Sequence, residues 1–223
     1  MIRETFMTSS HREMKEYFLN ELKGMGTLRV FEKNENINPN KYMGCFKVVI
    51  KGMIKISLIS VNGESRLFHL IRKGEVYDEY GMYEQDEIEI VAKETSKVLF
   101  FKFEDIYKLE DPLKCMEYLL QSMHRKYSLL KFQALCVQFD DIDGQIASVI
   151  LRTAYQSGCT KEDNRYELDY PFTHDEMANI IGCSRVTITR HIQKLRDEGV
   201  IDFNKRLIVI NDIAALEEYT HVK

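Results

Sequence analysis

The chain has 223 residues, with 31 Lys+Arg against 35 Asp+Glu, 3 Pro, 11 Gly and no Trp. At roughly 150 residues per domain, this is one large domain or two modest ones, each able to bury a core. An apolar content of 44% with little Gly or Pro excludes a long disordered or collagen-like region. No apolar run reaches the ~18 residues of a membrane span. Met1–Ser10 carries Arg3 and Glu4 and no signal-peptide core, so a cytoplasmic protein without a membrane partner is expected. The net charge of −4 gives no hint of a nucleic-acid partner and has to be tested segment by segment.

Near the N-terminus, Met14, Phe18 and Leu22 recur at i, i+4, i+8 and predict a helix over Arg12–Leu22. From Leu28 to Phe103 the chain reads as short strands: Cys45–Ile50, Met53–Ile59, Ser65–Ile71, Ile88–Ala92 and Lys97–Phe103. Asn62-Gly63 marks a hairpin, because both residues accept positive φ. Many short strands at this spacing predict a sandwich or a β-barrel, jelly rolls included. The five cysteines, Cys45, Cys115, Cys136, Cys159 and Cys183, are scattered, with no CxxC pair. They read as reduced thiols, with a redox-sensing thiol as the alternative. No HExxH or similar ligand pair appears, so no metal site is predicted. The acidic run Asp86–Glu89 reads as a solvated loop.

After Pro112 the period changes. Met116, Leu120, Met123, Tyr127, Leu130, Ala134 and Val137 follow spacings of 4, 3, 4, 3, 4, 3, a heptad seam that predicts a helix pairing with a second copy as a homodimer interface. Leu113, Leu119, Leu129, Phe132 and Leu135 form a second apolar face that could pack on the barrel. The alternative is one broad face buried in a single core. A break follows at Phe139–Gly144, where Asp141 or Asp143 could cap a helix over Gln145–Gln156. The polar stretch Ser157–Arg165 reads as a loop. The fold class is therefore α+β, with a β-barrel or jelly-roll domain over 1–110, a dimerisation helix over 111–139 and a further domain over 140–223.

In that last segment, Thr173 and Glu176 form a capping box for a helix over Asp175–Ile181 that stops at Gly182. Ser184 caps a second helix, Arg185–Glu198, ending at Gly199. Two short helices joined by a tight Gly-containing turn make a helix-turn-helix. Val200–Phe203 and Leu207–Ile210, flanking Asn204, Lys205 and Arg206, add a β-hairpin wing. On the second helix Ile188, Ile192 and Leu195 form the buried stripe, and Val186, Arg190 and Gln193 lie roughly opposite, with Arg185, Thr189 and Lys194 beside them. Ser184–Arg196 holds four basic residues and no acid, against the sign of the whole chain. Such a helix suits phosphate contact and bidentate reading of guanine, and Val186 suits a thymine methyl. Double-stranded DNA is the predicted partner.

The run Gly182–Arg190, preceded by Thr173–Ala178, resembles the helix-turn-helix of the Crp–Fnr family of bacterial transcription regulators. The order of barrel, long helix, Asp141-x-x-Gly144 hinge and winged helix is similar too, as are the glycines Gly52 and Gly74 in the barrel turns. The resemblance implies a homodimeric DNA-binding regulator on a palindromic site, with RNA polymerase as a further partner and the helix 185–198 in the major groove. It implies base reading by Arg185 and Arg190, phosphate contact by Thr173, Ser184, Thr187 and Gln193, and a weaker contact of that kind by Asn204. Thr189 and Lys194 complete the DNA-facing set, and Phe139, Asp141 and Gly144 form the hinge. Val186 departs from the family, where many members carry Glu, so the C·G preference at that step should give way to A·T pairs.

For the effector, the resemblance implies a sugar-binding glutamate at Glu79, but the Arg-Ser or Arg-Thr pair that holds a cyclic-nucleotide phosphate is absent. Carboxylates at Glu79, Glu84, Asp86, Glu87 and Glu89 crowd that stretch, so cyclic AMP is disfavoured. Iron–sulfur members need clustered N-terminal cysteines, and no cysteine precedes Cys45. No cofactor is predicted; an unknown small-molecule effector, a redox signal or no effector at all remain. The competing reading is a cyclic-nucleotide-binding-like sensory module acting through protein partners. An enzyme is not expected, since no GxSxG, P-loop, GxGxxG or Cys–His signature occurs.

Overall fold

The computed structural model describes residues 9–220 apart from 23, 43, 79–86, 158, 163, 164 and 169. The chain divides into two compact units, Ser9–Lys126 and Tyr127–Lys223.

The first unit opens with α1 (Ser9–Asn20), followed by β1 (Thr27–Phe31), β2 (Cys45–Lys51), β3 (Met53–Ile59), β4 (Ser65–Arg72), β5 (Val76–Tyr77), β6 (Glu87–Ala92) and β7 (Ser96–Lys102). The strands form two sheets, ordered β1-β7-β2-β5 and β4-β3-β6, rather than a closed barrel. Period-two alternation sends Val49, Val98 and Phe100 of one sheet and Ile54, Ile56, Ile71 and Ile90 of the other into a shared core. The opposite face of the larger sheet, with Phe46, Val48, Leu99 and Phe101, is covered by Met14, Phe18 and Leu22. The helical spacing of those three residues was thus a correct guide to burial. The β3–β4 hairpin is not the two-residue turn that Asn62-Gly63 suggests. Ser60 O accepts from Gly63 N at 2.8 Å, and only Gly63, at φ +79°, is left-handed. Glu87 and Glu89, expected in a solvated loop, open strand β6, where Glu89 lies 3.7 Å from Lys55. The proposed sugar-binding Glu79 and its neighbours Glu84 and Asp86 lie outside the described residues.

Helix α2 (Pro112–Phe139) starts where Asp111 accepts a hydrogen bond from Lys114 N and Pro112 supplies a preset φ. Cys115 and the half-buried Met116, Tyr118 and Leu119 pack on the outer core of the first unit. Met116, read as part of the seam, therefore turns inward. Leu113, read as part of the inner face, is 78% exposed and joins Leu120, Met123, Tyr127 and Val137 in an exposed stripe.

The second unit contains α3 (Ile142–Ser157), β8 (Cys159–Glu162), β9 (Arg165–Leu168), α4 (His174–Ile181), α5 (Arg185–Asp197), β10 (Ile201–Asn204), β11 (Leu207–Ile210) and α6 (Ile213–Glu218). Asp141, not Asp143, caps α3, its carboxylate accepting from Gly144 N at 2.9 Å. The stretch read as a polar loop holds β8 and the first residue of β9, and these two strands extend the wing into a four-stranded sheet ordered β10-β11-β9-β8. Polar residues on an edge strand leave no apolar alternation, so this pairing was invisible to pattern reading. Ile146, Ile150, Leu151, Leu168, Ile188, Leu195, Ile201, Ile210 and Leu216 are among the buried residues of this unit.

Candidate nucleic-acid interface

The interface is built from two helix caps and a turn. Thr173 Oγ1 accepts from Glu176 N at 3.1 Å, while Glu176 Oε2 accepts from Thr173 N at 3.0 Å, closing the capping box of α4. Tyr170 donates to the other oxygen of Glu176 at 2.7 Å, fixing the box from outside. Gly182 ends α4 at φ +87°, and the amide nitrogens of Gly182 and Cys183 both donate to Ala178 O. A residue with a Cβ would be strained in that conformation. Ser184 then accepts from Thr187 N at 3.1 Å and starts α5. At the far end Gly199, at φ +75°, donates to Arg196 O, and Val200 N reaches back to Leu195 O at 3.0 Å. Both ends of α5 are thus closed by hydrogen bonds.

Ile188, Ile192 and Leu195 of α5 are buried, as their spacing requires. Arg185, Val186, Thr189, Arg190, Gln193 and Lys194 share one open surface. Val186 is 79% exposed. Asp197 and Glu198 complete the same surface, which sequence reasoning missed. The helix is therefore positive toward its N-terminus, where the macrodipole adds to Arg185 and Arg190, while at its C-terminal end Asp197 and Glu198 offset Lys194 and Arg196 and the macrodipole is negative. An anion is favoured at the first end and opposed at the second.

The remaining site residues have internal duties. Thr189 donates to Arg185 O at 2.9 Å and meets His174 Nδ1 at 2.8 Å, joining α4 to α5. Gln193 donates to Asp197 at 2.7 Å. Asn204 in the wing donates to Glu167 of β9 at 2.6 Å. Of the basic residues, Arg185 lies 3.7 Å from Asp175, Arg196 3.3 Å from Asp202 and Lys194 2.5 Å from Asp143. Asp143 Oδ1 also lies 2.6 Å from His191 Nδ1. Burial raises the Asp143 carboxyl, but the hydrogen bonds from Lys194 and His191 outweigh it and hold it below the usual carboxylate range. The same bond holds the Lys194 ammonium above its ordinary value.

Of the residues expected to form a hinge, Phe139 is 63% exposed and Asp141 is the α3 cap. A Cβ on Gly144 would fall 2.6 Å from Tyr219 O and 2.9 Å from Asp140 Cβ, so its role here is close packing.

Residues 144–219 match the family model described as a Crp-like helix-turn-helix domain. That segment is thus a Crp-like helix-turn-helix domain. The chain is similar, at 21% identity over 168 residues, to the cAMP-activated global transcriptional regulator CRP of Salmonella typhimurium, covering 73% of this chain and 78% of that one. A CooA variant from Carboxydothermus hydrogenoformans has the same fold, with a TM-score of 0.73 at 14% identity, covering 87% of this chain and 88% of that one. A CRP/FNR-family transcriptional regulator of Thermus thermophilus superposes with a TM-score of 0.65 at 19% identity, covering 86% of this chain and 97% of the other. The Crp–Fnr fold therefore extends over both units and not only the matched domain.

Proposed function

We infer that this protein is a sequence-specific DNA-binding transcription regulator that works as a homodimer on a palindromic site. The observation that carries this reading is the exposed N-terminal half of α5, where Arg185, Val186 and Arg190 stand clear of the buried stripe. In a major groove, the two guanidinium groups are suited to guanine edges and Val186 to a thymine methyl. Thr173, Ser184, Thr187 and Gln193 lie around that end or along that face and are assigned to phosphate, with Asn204 following from the wing. The exposed stripe of α2, with Leu120, Met123 and Tyr127, supplies the surface for pairing two copies, continued by Leu130, Ala134 and Val137. RNA polymerase is the further partner this activity calls for, and no catalytic role is assigned.

The relative from Salmonella is named as cAMP-activated. In this chain the missing phosphate-binding pair and the acidic stretch argue for a different switch, or none, so cyclic AMP added to the purified protein should leave its DNA affinity unchanged.

Selection of bound duplexes from a random pool tests the reading. Inverted half-sites with A·T pairs facing Val186 are expected; recovery of a G·C pair there would overturn that assignment. Arg185→Ala and Arg190→Ala should each remove about 1–3 kcal/mol of discrimination between the selected site and a random duplex. Equal losses on both duplexes would mean that neither arginine reads bases.

A further inference from the structure

We propose that Asp143 is a positioning residue that clamps α5 through His191 and Lys194 and so withholds the Lys194 ammonium from DNA phosphate. The inference rests on the DNA-binding reading above and changes the role of one residue assigned to it.

Asp143 sits in the first turn of α3, beside the hinge, and its side chain is 8% exposed. It holds two groups of α5 at once, one on each oxygen: His191 Nδ1 at 2.6 Å and Lys194 Nζ at 2.5 Å. His191 and Lys194 are three residues apart and therefore neighbours on one helix face. The N-terminal end of α3 adds its own positive potential around the carboxylate. On its other side, His191 Nε2 lies 3.4 Å from Arg190 Nη2. The Tyr219 ring lies 5.7 Å from Lys194 Nζ, and the Tyr219 hydroxyl donates to Glu198.

The Lys194 side chain is 49% exposed, so the other ion pairs of α5 differ in their carboxylate, which among the described residues is buried only at Asp143. Arg185 and Asp175 are 3.7 Å apart with side chains 68% and 63% exposed, and Arg196 and Asp202 are 3.3 Å apart at 52% and 46%. Exposed pairs of that sort are weak, and a phosphate can replace the carboxylate. Removing Lys194 from Asp143 would instead leave a buried carboxylate short of its strongest partner. Arg185 is thus available to DNA and Lys194 is not. The separations of 48 and 51 residues make this a tertiary lock between the helix that follows the hinge and the helix assigned to base reading.

The test compares the salt dependence of binding to a random-sequence duplex for the wild type, Lys194→Ala, Asp143→Asn and the double variant. Each phosphate contact contributes about 0.9 to the slope of log K against log salt. Lys194→Ala should leave the slope unchanged. Asp143→Asn should steepen it by about one contact, so that about three- to fourfold more affinity is lost between 50 and 200 mM salt. Adding Lys194→Ala to Asp143→Asn should restore the wild-type slope. A slope that falls by one contact in Lys194→Ala alone, or that stays unchanged in Asp143→Asn, overturns the proposal.

A DNA-free readout keeps the clamp testable by itself. The Lys194 side-chain ammonium should give a slowly exchanging NMR signal in the wild type that Asp143→Asn abolishes; its absence from the wild type refutes the clamp. A wild type whose binding to DNA shows no salt dependence would sink the function proposed above, while this signal still decides whether the clamp exists.

Discussion

Val186 lies on the same α5 surface as Arg185 and Arg190, and its 79% exposure gives an isopropyl group no part in the core. Val186→Glu supplies an acceptor for a cytosine amino group, so selection with that variant should recover a C·G pair with a preference of about 1–3 kcal/mol. Asp143 was not legible as a clamp, because its partners lie 48 and 51 residues away and no local pattern links them. The only trace in the sequence was that His191 and Lys194 flank the buried stripe. Since its folded pKa is depressed, Asp143 contributes stability that is present above its unfolded pKa of about 3.9 and lost as pH falls through the folded value. Thermal melts from pH 6 to pH 2 should show a smaller acid loss in Asp143→Asn than in the wild type; parallel curves would contradict the linkage. Two thiols are poorly poised for redox sensing. Burial pushes both Cys115 and Cys136 up to about 11. Alkylation of the native protein at pH 8 should therefore spare both while labelling the half-exposed Cys45 and Cys183, as mass spectrometry of the digested protein would report.

Among the elements, α4 and α5 were the most legible, since caps and glycine stops act within a few residues of each helix end. Thr173→Ala removes one acceptor and should lower stability by about 1 kcal/mol in a denaturant melt. The sheet was less legible: β8 is a polar edge strand paired with β9, and the β3–β4 turn depends on one left-handed glycine rather than on Asn62 and Gly63 together. For α2, the heptad spacing located an apolar stripe but could not say where along the helix it turns inward, because Met116 satisfies both the seam and the outer core of the first unit. Lys substitutions at Met123 and Leu130 should convert the dimer to a monomer in sedimentation without loss of helical signal. Leu119→Lys should instead destabilise the first unit, where Leu119 packs on the core.

At the scale of the whole molecule, a charge of −4 concealed a basic segment and said nothing about partners. The two units meet at Lys126 and Tyr127, inside α2, where no change of period marks the division, and the order of strands in the two sheets required pairing that a single sequence does not display. The closed ends of α5 bear on the whole complex. Ser184 stops the helix at one end, and Gly199 with Val200 stops it at the other. The helix cannot gain a turn to improve a poor fit, so adjustment falls to the nucleic acid. Two such helices on one palindrome would then favour operators whose central steps kink at low elastic cost, such as TA or CA, including base pairs that no side chain touches.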